Sequence, residues 1–155
     1  MVLVGVWDCS NIDLLLYALE HTPALVLDCA NCANPHALFP VVDFDKFKRV
    51  YVMQVELLYV FRDALKQVAR TVIETGAKVI IVTKFSHLID YDDEEETEDL
   101  YEHAWELLED LGKKHVVIIG VGANQDRFAR RFCDERGFMN GTHSLEFATE
   151  LGHSS

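Results

Sequence analysis

Val2-Leu3-Val4-Gly5-Val6-Trp7-Asp8-Cys9-Ser10-Asn11-Ile12-Asp13-Leu14-Leu15-Leu16 is the stretch that decides the fold. Its first residues, 2–6, are an apolar run too short for a helix, which reads as a strand buried on both faces. A short polar turn follows. From Asn11 onward the apolar positions fall at Ile12, Leu15, Leu16 and Leu19, the spacing of one helix face, and Ser10 or Asn11 stands where an N-cap belongs. A strand buried on both faces needs helices above and below it. The opening stretch therefore points to a mostly parallel sheet inside a three-layer α/β sandwich.

The rest of the chain repeats the alternation. Residues 24–27 form a second apolar run that ends at Asp28; 50–55, 79–82 and 116–119 form three more. Between them, 56–75 carries Leu57, Leu58, Phe61, Leu65, Val68, Ala69, Val72 and Ile73 at helical spacing and predicts one long helix stopped by Gly76. Residues 98–111 predict a helix closed by Gly112, and 124–136 a last helix closed by Gly137. Residues 144–147 fit an edge strand, and 151–155 read as a frayed tail. The expectation is one domain over 1–150, with a sheet of about five strands and helices on both faces.

The chain has 155 residues and a formal net charge of −12. Twelve carboxylates stand between Asp90 and Asp110 without a single Lys or Arg, and the remainder balances at 14 acidic and 14 basic residues. A nucleic-acid binder needs a basic track to displace counterions, and none is visible, so direct nucleic-acid binding is not expected. The acidic run, with Asp92, Asp93, Glu94, Glu95 and Glu96 at its start, reads as a solvated loop and helix face, or as a docking surface for a basic partner. No apolar run reaches membrane-spanning length, and no basic-then-apolar leader precedes Val2. The expected location is the cytoplasm, where Cys9, Cys29, Cys32 and Cys133 are expected as thiols rather than disulfides.

In a doubly wound sheet the working residues stand just past the carboxyl ends of the strands. After the first strand a phosphate cradle would read G-x-x-x-x-G-K-[ST]. Gly5 supplies the first glycine, but Ser10 stands at the second glycine, Asn11 at the lysine and Ile12 at the magnesium-holding hydroxyl. The succession from about Val2 to Arg136 resembles the RecA/RadA and KaiC-like ATPase core. That resemblance implies a RecA-like fold of the P-loop NTPase type. In the family the second strand runs into Asp-x-Glu, whose Glu activates water; here Asp28 is present and Ala30 stands at the Glu position. Thr83-Lys84 stand where the family has the Walker B Asp-Ser, and Asn124-Gln125 echo a polar pair after the next strand. The resemblance thus implies a nucleotide site stripped of its lysine, its metal ligands and its general base. It also implies a protein partner, since RecA-type cores assemble edge to edge with their own kind.

Other groups compete for attention. Cys29-Ala30-Asn31-Cys32 is a C-x-x-C after a strand, readable as a redox dithiol, as half of a zinc site with Cys9 and His36, or as buried thiols. Asp8, Asp13 and Asp28 lie near adjacent strand ends and could hold a metal, or could simply cap a helix and bind loop amides. Arg127, Arg130, Arg131 and Arg136 read as a basic stripe on the last helix, solvated or receiving the acidic loop of a second copy. Trp7 would crowd a nucleotide and could fill the vacated cradle, and Trp105 falls beside its helix's apolar stripe. Weighed together, these readings favour a non-catalytic RecA-like protein without cofactor or metal. It would be a partner or regulator of a recombination or repair ATPase, binding itself or another RecA-type protein. The alternatives are a metal- or dithiol-dependent enzyme, and a module that senses nucleotide without hydrolysing it.

Overall fold

A computed structural model describes residues 1–31, 48–85, 88, 94–122, 125–139 and 145–148. The readings made on Cys32, on His36, on Asp92 and Asp93, on Asn124 and on the 151–155 tail lie outside these residues. The described chain forms strands β1 (Val2–Val6), β2 (Ala24–Asp28), β3 (Val50–Gln54), β4 (Val79–Val82), β5 (Val116–Gly120), β6 (Glu135–Met139) and β7 (Leu145–Ala148). Its helices are α1 (Asn11–Glu20), α2 (Leu58–Leu65), α3 (Val68–Thr75), α4 (Glu94–Gly112) and α5 (Asp126–Phe132).

The strands join one sheet in the order β3-β2-β4-β5-β1-β6-β7. The first six run parallel, and only β7 is antiparallel, against β6. Alternation along each strand explains the unbroken apolar runs. Val4, Val6, Val26, Ile81 and Ile118 face one cluster, packed by Leu14, Leu15 and Leu19 of α1. Leu3, Leu25, Leu27, Ile80, Val82, Val117 and Ile119 face the other, packed by α2, α4 and α5. Aromatic rings knit that second layer together. Phe61 lies 4.7 Å from Phe85, which lies 5.6 Å from Trp105, itself 6.3 Å from Phe132. Trp105 is therefore core and not a contact residue, with no exposed surface. Among the described residues no helix is long and apolar enough to cross a membrane.

Four expectations need correction. Among the described residues the sheet has seven strands instead of about five. The extra parallel strand is β6, where the sequence suggests the end of a helix. The helix expected over 124–136 stops at Phe132, because Asp134 docks the chain onto β1: its carboxylate accepts the Leu3 N–H at 2.9 Å and its own N–H donates to the Leu3 carbonyl at 2.8 Å. Gly137 and Arg136 consequently lie in β6, paired with Val6 and Gly5. The long helix over 56–75 is broken at Lys66-Gln67, where i to i−3 bonds tighten the chain (Lys66 to Asp63, Gln67 to Ala64). Past those tight bonds α3 buries only Val68 and leaves Ile73 83% exposed. Finally, α4 begins at Glu94, inside the run expected to be loop. Carboxylates in a first turn are favoured by the helix dipole.

Candidate functional site

The turn between β1 and α1 lies at the carboxyl end of an interior strand, flanked by β5 and β6. Gly5 is inside β1, so the turn proper is only Trp7 to Ser10. A Cβ at Gly5 would stand 2.9 Å from both Trp7 and the Cys133 sulfur, so the glycine makes room for the indole. Asp8 turns the chain with a positive φ of 55°. Ser10 is the N-cap of α1: its hydroxyl accepts the Asp13 N–H at 3.1 Å, and the Asp13 carboxylate accepts the Ser10 N–H at 3.2 Å. This reciprocal capping box puts a protein carboxylate at the positive end of the helix, where a phosphate cradle would receive its anion. Ile12 lies on the first turn, 37% exposed.

Asn11 reaches across β5 to the end of β4, where its side-chain oxygen accepts the Lys84 N–H at 3.0 Å. The Lys84 stem lies over the last residue of β5: a Cβ at Gly120 would meet Lys84 Cγ at 3.1 Å and Leu14 Cδ1 at 2.7 Å. The gap between the first turn and the β4 end is thus bridged by the chain itself. Thr83 is wholly buried. Its hydroxyl accepts the Cys29 N–H at 2.8 Å and donates to the Leu27 carbonyl at 3.4 Å, tying β4 to β2. Asp28 is 1% exposed and accepts the Ala30 N–H at 3.2 Å. Past β5, buried Gln125 bonds the Gly120 carbonyl and the Gly122 N–H. The structure brings Ser10, Asn11, Asp28, Ala30 and Thr83 to one end of the sheet. The Asn11–Lys84 tie spans 73 residues and has no local signal that could have revealed it.

Trp7 does not turn toward α1. Its indole packs against the cluster on the opposite face, donates to the Asp126 carboxylate at 2.7 Å, and has the Arg136 guanidinium 4.6 Å and that of Arg130 5.8 Å from its ring. The hydrogen bonds from Arg130 and then Trp7 hold the Asp126 carboxyl below the ordinary carboxylate range. The basic stripe and the acidic helix meet within the chain at two exposed ion pairs. Arg127 pairs with Glu98 and Arg131 with Glu102 at 3.3 Å, both across the α4–α5 contact, and Arg130 pairs with Asp126 at 2.9 Å. Arg136, on β6, is no part of that helix's stripe.

Cys9 and Cys133 are thiols. Burial pushes Cys9 up to about 11, partly opposed by the Lys84 charge and reinforced by Asp13 and Asp8. Burial pushes Cys133 up to about 12, helped by Asp134. Neither has the lowered pKa of a reactive cysteine. Among the described residues no group of three His, Cys, Asp or Glu side chains converges as metal ligands would.

The strand order and the helices on both faces give the chain an α/β fold of the RecA-like kind. The crystal structure of the RadB recombinase superposes on it with a TM-score of 0.64, covering 90% of this chain and 76% of that one at 12% sequence identity. At that identity the likeness is one of fold. No family profile matches the chain, and no curated protein matches it in sequence.

Proposed function

We propose that this chain is a RecA-like protein that has given up nucleotide hydrolysis and acts through contacts with other proteins, as a partner or regulator of a recombination or repair ATPase. One observation carries the reading: the groups that a triphosphate and its metal would engage are engaged by the chain instead. The start of α1 is capped by Ser10 and Asp13, the Asn11 side chain holds Lys84, and the Thr83 hydroxyl holds Cys29. No lysine, hydroxyl or glutamate stands at positions 11, 12 and 30. The Asp13 carboxylate would also repel an incoming phosphate. The partner class rests on the fold it shares with the RadB recombinase and on the acidic run of 90–110.

Calorimetry and a melting assay with MgATP test the reading. A ligand present at a hundredfold its Kd adds about 2.7 kcal/mol of stability, which raises the melting temperature of a chain this size by roughly 5–10 °C. The expected result is no heat of binding, no shift with ATP, ADP or AMP, and no phosphate release. Magnesium-dependent turnover that is lost in Asp28→Asn would overturn it.

A further inference from the structure

We draw no further inference here: the strongest candidate, the side-chain cluster in which Arg136 of β6 and Arg130 of α5 stack on the Trp7 indole, carries no proposal because nothing in the structure shows what covers it.

Discussion

Thr83→Val isolates what the hydroxyl at the end of β4 does. The position has no exposed surface, and valine nearly keeps the shape, so hydrogen bonding is what changes. Two bonds are lost, from the Cys29 N–H at 2.8 Å and to the Leu27 carbonyl at 3.4 Å. The Leu27 carbonyl keeps the Thr83 N–H at 3.2 Å, so the net loss is the acceptor of one buried amide. A buried donor deprived of its acceptor costs about 1–3 kcal/mol. For a chain of this size the melting temperature should drop by roughly 3–10 °C. Thr83→Ser keeps the oxygen and deletes only a methyl, a loss of about 0.8 kcal/mol. The expected order of melting temperatures is wild type, Thr83→Ser, Thr83→Val, the same with and without magnesium. A magnesium ligand would behave otherwise: Thr83→Val would be silent without the ion, and the ion would stabilise the wild type alone. A Thr83→Val protein that melts with the wild type, or that loses a magnesium-dependent gain, refutes the structural role.

Asp134→Ala should destabilise by about 1.5–3 kcal/mol, since a charged acceptor for the Leu3 N–H disappears, and Asp134→Asn by less, because it retains an oxygen; urea denaturation reads both. Asp126 has its carboxyl held below the ordinary range by Arg130 and Trp7. Its contribution is therefore fully present above about pH 4 and fades as pH falls through the lower folded-state value. The melting-temperature gap between wild type and Asp126→Asn should accordingly close on acidification. With thiols pushed up to about 11 and about 12, Cys9 and Cys133 should resist iodoacetamide in the native protein at pH 8 and react in urea, as peptide mapping by mass spectrometry would record.

How much of this was legible in the sequence depends on the range of the interaction responsible. β1, β2, β4 and β5 are continuous apolar runs, because burial on two faces leaves no room for polar alternation, and they were readable directly. The cap of α1 was readable as Ser10 or Asn11, and the contact over three residues selects Ser10. β6 was not readable: Glu135-Arg-Gly-Phe-Met has no strand pattern and forms where Asp134 meets Leu3, 131 residues away. The break at Lys66-Gln67 has no proline or glycine to announce it and shows only as i to i−3 bonds in the structure. In the site, the residue types at positions 10, 11, 12, 28, 30 and 83 could be read, but their partners could not. Asn11 to Lys84 and Cys29 to Thr83 join strand ends that only the sheet order brings together. The basic and acidic surfaces were both visible. That they pair within one copy, through α4 against α5, required the packing of those two helices.

α4 gives the molecule a lopsided electric field. Its 19 residues extend about 28 Å along one face of the sheet, and α1 on the reverse face carries little of the chain's charge. Nine of those 19 residues are carboxylates, so negative charge is concentrated along that helix. Tumbling near a positively charged surface, it would be turned so that α4 leads, which shortens the orientational search and raises the rate of encounter. The torque reaches only about 8 Å beyond the helix at physiological ionic strength, so this preference for one approach is strong in dilute buffer and brief in salt.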